Sequence, residues 1–293
     1  MPNHPLAEVF GFPVDNDSDE AKRYRDNRLC PYNNKVPNCT KDKASHPLGV
    51  CSIYSGDGIA ITYPIRLRER WLIAQEAASF IFPQDTRWTT LTEVRLKDSD
   101  GKVAGNIDIV LVAYNDQGKI IDFGSLEVQA VYISGNIRAP FEHYMQDPAV
   151  RADMDWRGQA NYPRADYLSS SRKRLLPQLL YKGAILSTWK KRQAVAMHKD
   201  FYGALPALPE VKSDDAEMAW LLYDLVFDDS EQRYQLESYK TVYTAFRPAL
   251  LEISTPRVGE QSIFVEHLQK KLDAKFDSGI SPDTTTIIGE GPL

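Results

Sequence analysis

The chain has 293 residues, 43% hydrophobic and 26% charged, with 15 Tyr, 11 Phe and 5 Trp, which suits a folded protein with a sizeable core and excludes a disordered or fibrous one. Lys and Arg total 35 against 40 Asp and Glu, a formal net charge of -5, so overall phosphate attraction does not mark the chain as a nucleic-acid binder, although a local basic face is compatible with that total. No run of about eighteen apolar residues exists, so nothing is expected to span a membrane. Asp15, Asp17, Asp19 and Glu20 near the start do not read as a secretory signal, and a reducing intracellular compartment is expected.

Residues 1 to about 63 are poor in regular pattern and rich in Pro, Asn, Asp and Gly, a stretch that burial alone would hold poorly. Trp71, Ala74, Ala78 and Phe82 then fall at helical spacing, predicting a helix over 68–82 that Pro83 stops. Leu91 to Lys97, Asn106 to Tyr114 and Ile120 to Tyr132 read as a three-strand meander, with turns at Asp98–Gly101 and Asn115–Gly118. Residues 133–171, broken by Gly135, Pro140, Pro148, Gly158 and Pro163, read as a long functional loop region. A helix is expected from Arg172 to about Lys191, with Leu175, Leu179, Gly183 and Leu186 along one face and Pro177 tolerable only in its first turn. Gln193 to His198 is a short strand, Ala219–Phe227 and Arg233–Phe246 form a hairpin, and Ile263 to Phe276 is a final amphipathic helix. The fold class is α/β (α+β). Three segments are expected: 1–65, rich in cysteine; 66–200, the core; and 201–293, a strand pair and helix packed on it.

Asp108 sits inside an apolar strand, and Glu127 sits in the next one with Gln129 two residues on. Strand side chains repeat every two residues, so Glu127 and Gln129 share a face. The Asn115–Gly118 turn returns the chain antiparallel and places Asp108 beside Glu127. Adjacent carboxylates repel unless a cation lies between them, and hard oxygen ligands suit Mg²⁺. Such a cation supports phosphodiester hydrolysis. Glu93, one strand earlier, can join them as a further carboxylate, or simply pair with Arg95. A solvated sheet face is the alternative for all three acids.

Cys30, Cys39 and Cys51 are spaced more widely than the close pairs of zinc fingers. They read as metal ligands or as three buried inert thiols. The irregular polar sequence around them favours a metal, which would contribute folding energy there. His46 and Tyr63 are the candidates for a fourth ligand.

Leu29–Tyr32 (LCPY), Cys39–Lys41 (CTK) and Gly49–Ser52 (GVCS) are similar to the N-terminal metal-binding segment of the NotI-like type II restriction endonucleases. Leu126–Gln129 (LEVQ), preceded by Asp108, resembles their variant of the PD-(D/E)xK motif, in which Gln replaces the usual Lys. Lys173-Arg174 and Gln178-x-x-Tyr181-Lys182 also look like theirs, and the resemblance runs in patches over most of the chain. It implies a PD-(D/E)xK core of mixed sheet flanked by helices, with an N-terminal metal-binding knuckle. It implies a homodimeric, Mg²⁺-dependent endonuclease of the bacterial cytoplasm that cuts both strands of a GC-rich palindrome. A cognate methyltransferase would act on the same site. By position Asp108 and Glu127 would hold Mg²⁺, Gln129 would stand where related nucleases use Lys, and Glu93 would be the additional acid. Cys30, Cys39 and Cys51 would hold a structural metal, iron in the family. Relatives carry Cys-Pro where this chain reads Tyr63-Pro64. The site is then three cysteines with Tyr63 or His46, holding iron or zinc.

Double-stranded DNA is the implied partner. Arg66, Arg68 and Arg70, then Arg172, Lys173 and Arg174, then Lys190, Lys191 and Arg192 cluster locally, either as phosphate contacts or as solvated helix faces. Arg138 has the planar fork that matches guanine O6 and N7. Asn136, His143 and Lys182 are further candidate DNA contacts, and Lys41 and Lys43 would put the cysteine segment itself on DNA. Two other readings compete: a DNA-binding module that keeps the fold without cleavage, and a metalloenzyme whose site is at the cysteines.

Overall fold

The structure, a computed structural model, describes residues 2–33, 37–43, 45–56 and 58–277. It divides into two units, Met1–Ser254 and Thr255–Leu293, and the second holds the helix Gln261–Asp277. Among the described residues no helix is long and apolar enough to cross a membrane.

The first sixty residues carry more regular structure than their pattern suggests. Strands β1 (Leu6–Val9), β2 (Phe12–Pro13), β5 (Val50–Ser55) and β6 (Gly58–Ile61) make a sheet in the order β2-β1-β5-β6. Between them lie helix α1 (Asp19–Asp26), capped by Ser18, and the short pair β3 (Asp42–Lys43) and β4 (His46–Pro47). Leu6, Val9, Phe10, Val50 and Ile53 are buried together with Phe141 and Tyr144 from later in the chain. Burial holds this segment after all. Strands of two to six residues are too short to show a period, and half of their apolar partners lie far away in sequence.

After a 3₁₀ segment, Pro64–Trp71, comes helix α2 (Leu72–Ile81). The expected start at Arg68 is overruled because Arg70 and Trp71 both adopt left-handed backbone, at φ 51° and 54°, which breaks the helix. A six-stranded mixed sheet follows. Its strands are β7 (Trp88–Lys97), β8 (Val103–Tyr114), β9 (Ile120–Gln129), β12 (Gln193–His198), β13 (Met218–Asp228) and β14 (Arg233–Thr244). The spatial order is β14-β13-β12-β9-β8-β7, with β9, β12 and β13 parallel and the outer pairs antiparallel. Leu126 and Val128 of β9 face α2, packing with Ile73, Ala77 and Ile81. On the other face Val195 and Met197 pack with Leu175 and Leu179 of a long helix, 167–188.

The region 133–171 is not one loop. It holds β10 (Tyr132–Ser134) paired with β11 (Arg164–Asp166), helix α3 (Arg138–Gln146), and the start of the long helix. Pro177 sits well inside that helix, flanked by two π-helical turns, Ser171–Leu175 and Leu179–Gly183. Proline lacks an N–H and crowds the carbonyl of the preceding turn, and wider π turns relieve both problems. Phe246, expected to end a strand, instead opens the helix Phe246–Ser254.

One buried ion pair joins the small sheet to the large one. Arg66 and Glu8 are both fully buried, and Arg66 Nε donates to both Glu8 oxygens at 3.0 Å. Its Nη1 donates to Glu69 Oε2 at 2.5 Å and its Nη2 to the Tyr234 carbonyl of β14 at 2.8 Å. The guanidinium also lies 4.3 Å from the Tyr32 ring centroid. Removing one partner leaves a buried charge unpaired. Arg66→Met is therefore expected to cost about 3–5 kcal/mol in denaturant unfolding, and adding Glu8→Gln should recover part of that loss.

Candidate active site

The candidate site forms where β8 and β9 separate. Their backbone ladder runs as far as Ile109–Leu126. One residue further, the Asp108 carboxylate replaces a backbone acceptor, taking the Val128 N–H on Oδ2 at 2.8 Å. This places Asp108 across from Glu127. On the other side of β8, the pairs Thr92–Ile109 and Val94–Ile107 put Glu93 opposite Asp108. The three acids therefore stand at one level on three adjacent strands, as the meander predicts. Glu93 is exposed and in left-handed backbone at φ 56°, a conformation that bulky residues rarely adopt.

Alternation turns Glu127 and Gln129 away from α2 and toward the long helix. Glu127 is 7% exposed. Lys182 Nζ donates to its Oε2 at 2.7 Å, while its Oε1 is buried without a hydrogen-bond donor. Burial first, and then the neighbouring Asp108 charge, push the Glu127 carboxyl up to about 8 against the opposing pull of Lys182. A buried carboxylate with one donor-free oxygen stands beside the half-buried Asp108 carboxylate, an environment that a hard cation relieves. Asp108 and Glu127 thus suit Mg²⁺ by donor chemistry. Among the described residues, however, no group of three or more His, Cys, Asp or Glu is arranged to hold a metal ion. The Gln129 amide donates to Gln178 Oε1 one helical turn before Lys182.

Lys182 is the residue that sequence reading misplaced. It was expected on DNA, but it is 4% exposed and bonded to Glu127 and, at 2.7 Å, to the Asn106 carbonyl. The signal was present in the sequence. Leu175, Leu179, Lys182 and Leu186 follow the helical repeat, so a lysine occupies a core-facing position.

Other basic residues are also tied up. Arg66 is the buried partner of Glu8. Lys191 bonds Asp122, and Arg192 donates to the Phe80 carbonyl at 2.6 Å. Lys41 donates inward to the Val50 carbonyl at 2.6 Å and to Thr62 Oγ1 at 3.2 Å, so it does not present the cysteine segment to DNA. The Lys43 side chain lies outside the described residues. Arg138 is part-exposed, pairing with Asp42 and, at 3.6 Å, with Glu142. Asn136 Oδ1 accepts the Ala139 N–H at 3.2 Å, and His143 lies against Trp156. Arg172, Lys173 and Lys190 are exposed.

Cys30, Cys39 and Cys51 are free, buried and members of one apolar cluster, with Tyr63 packed against it. Burial pushes the Cys30 thiol up to about 11 and raises Cys39 and Cys51 as well. The Tyr63 phenol, pushed up to about 12 by burial, is hydrogen-bonded to Thr40 Oγ1 at 2.6 Å. His46 is elsewhere, exposed, 3.2 Å from an Arg28 nitrogen and 3.7 Å from Glu142.

The family model described as restriction endonuclease NotI matches residues 17–236, a span that contains the cysteines, the three acids and Lys182. No curated protein matches the chain.

The raised Glu127 pKa has a consequence for stability. Between the ordinary carboxylate value and about 8 the folded chain holds a proton that the unfolded chain has released, so stability falls as pH rises through that window. Metal-free protein is expected to lose about 1 kcal/mol between pH 7 and 8 from this group alone. Melting curves in chelator should show the loss, Asp108→Asn should flatten it, and Mg²⁺ should abolish it.

Proposed function

The chain belongs to the NotI restriction endonuclease family and is a site-specific deoxyribonuclease, and from that membership and the Asp108–Glu127 pair we propose how it works. It is a type II enzyme of the bacterial cytoplasm that hydrolyses both strands of a GC-rich palindrome as a homodimer. The two-fold symmetry of such a site matches a two-fold protein. A methyltransferase of the same specificity protects the host DNA.

The observation that carries the mechanism is the buried, donor-free oxygen of Glu127 beside the Asp108 carboxylate. Asp108 and Glu127 would hold Mg²⁺ in a PD-(D/E)xK-like core of mixed sheet flanked by helices. When bound, the cation supplies Lewis-acid stabilisation of the charge that develops on the scissile phosphate. Gln129 offers a neutral amide donor at the position where related nucleases carry Lys, and Gln178 fixes its orientation. Glu93, opposite Asp108 on β7, orients the attacking water. Arg138, Asn136 and His143, on the segment that leaves β9, contact DNA, and exposed Arg172 and Lys173 neutralise phosphates.

The cysteine cluster is a structural knuckle. Cys30, Cys39, Cys51 and Tyr63 would hold iron or zinc, with the phenolate in place of a fourth thiolate. Four anionic ligands around one metal would leave net negative charge in an apolar place. The inward ammonium of Lys41, 5.6 Å from the Tyr63 ring centroid, offsets it.

Plasmid or phage DNA incubated with protein and Mg²⁺ should yield discrete fragments. Asp108→Ala and Glu127→Ala should each lose roughly a thousandfold or more in cutting rate while still folding and retaining DNA. Specific retention by the parent without cutting, in any divalent cation, would favour the binding module instead. Elemental analysis should find one structural metal per chain. Cys51→Ser should lose it and melt well below the parent, and Tyr63→Phe should weaken its retention. His46→Ala should leave it in place. If Cys51→Ser melts like the parent and neither holds metal, the knuckle is simply an apolar cluster.

A further inference from the structure

Lys182 is placed to do more than neutralise Glu127. A lysine buried to this degree is rare, and taking its ammonium out of water is costly unless its donors are used. Nζ donates to two acceptors at once, Glu127 Oε2 and the Asn106 carbonyl, both at 2.7 Å. Asn106 precedes Asp108 by two residues on β8, so this one ammonium ties the two acid-bearing strands together at the point where their own ladder ends.

The surroundings are shaped to admit it. Gly105 has φ 138°, a conformation that side chains rarely adopt, and a Cβ there would lie 3.1 Å from Lys182 Cδ and 3.3 Å from Cγ. Lys182 also lies within the π turn Leu179–Gly183, a local widening of the kind that recurs at functional sites. Strand and helix match rung for rung. Glu127 meets Lys182 and Gln129 meets Gln178. Two positions on one face of the strand thus meet two positions four apart on the helix, and both contacts form together.

We propose that Lys182 is a positioning residue that supplies, from the long helix, the fixed positive charge that β9 lacks at Gln129, holding Glu127 by one oxygen so that the other is presented to the catalytic cation. The inference rests on Asp108 and Glu127 being the cation's ligands. Lys182 clamps Oε2, which leaves Oε1 without a donor beside Asp108. Its charge stands behind the carboxylate pair and lets both acids be negative at once when the cation arrives. The tie to Asn106 holds β8 at the spacing the pair needs.

The test compares the parent with Lys182→Met and with Lys182→Met combined with Gln129→Lys, each as the full chain stripped of loosely held divalent cation. Mg²⁺ binding is measured by calorimetry, and plasmid cleavage at graded Mg²⁺ gives the half-saturating concentration. Lys182→Met is expected to weaken Mg²⁺ binding roughly 10–100-fold while retaining DNA in Ca²⁺ as the parent does. Returning a lysine to the strand with Gln129→Lys should recover most of that loss, which a purely structural ion pair would not predict. Unchanged Mg²⁺ binding by Lys182→Met, or no recovery in the double variant, overturns the proposal. Should Lys182→Met not fold, Lys182→Gln, an uncharged donor, takes its place with the same expectation. Failure of the underlying reading gives a different pattern: Asp108→Ala then binds Mg²⁺ as well as the parent, and both ideas fall.

Discussion

Two carboxylates on neighbouring strands repel one another, and excluding water strengthens that repulsion because the medium between them screens less. In this protein the pair is Asp108 and Glu127, and much of the sheet is arranged around keeping them together. The β8–β9 ladder stops one residue short of them, so that Asp108 accepts a backbone N–H that would otherwise bond across the ladder. Glu127 is clamped from behind by Lys182. Gly105 removes the side chain that would crowd the lysine stem. Each feature is locally unfavourable or neutral, and together they support one closely spaced carboxylate pair.

The sheet makes this arrangement affordable by dividing its two faces. Leu126 and Val128 bury themselves under α2, while Glu127 and Gln129, offset by one residue, face the long helix. Packing on the α2 face is close. A Cβ on Gly124 would stand 2.6 Å from Ile81 and 2.8 Å from the Arg192 carbonyl. Slippage of β9 by one residue would bury the acids against α2 and turn Leu126 and Val128 to the polar side, so the apolar face fixes the register on which the site depends.

The meander is legible in the sequence because apolar, β-branched runs are bounded by polar turns at Asp98–Gly101 and Asn115–Gly118. Alternation puts Glu127 and Gln129 on one face, the Asn115–Gly118 turn sets Asp108 beside Glu127, and the register brings Glu93 level with them. What stayed hidden was everything that came from far along the chain. Lys182 is 55 residues from Glu127, and a lysine in a stripe of leucines is easily taken for an exposed one. The small sheet was missed because its strands are short and its core borrows Phe141 and Tyr144 from α3. Pro177 misled in another way: the rule against proline inside helices holds for α turns, and here the flanking turns are π.

Net charge takes on a different meaning once the burial of individual cations is known. Arg66, from a basic cluster, and Lys41 and Lys182, candidate DNA contacts by sequence, are each turned inward onto a carboxylate or carbonyl. Lys191 and Arg192 are likewise tied to Asp122 and to the Phe80 carbonyl. The cations left to meet phosphates are therefore fewer than the sequence clusters imply, and an acidic total of -5 works against them. Counterion release grows with the number of phosphates neutralised. A chain with few outward cations gains less of its hold on DNA from diffuse attraction and more from contacts to bases. Such a balance suits an enzyme that must ignore nearly all of the DNA it meets, because weak non-specific binding widens the gap to the one sequence it cuts.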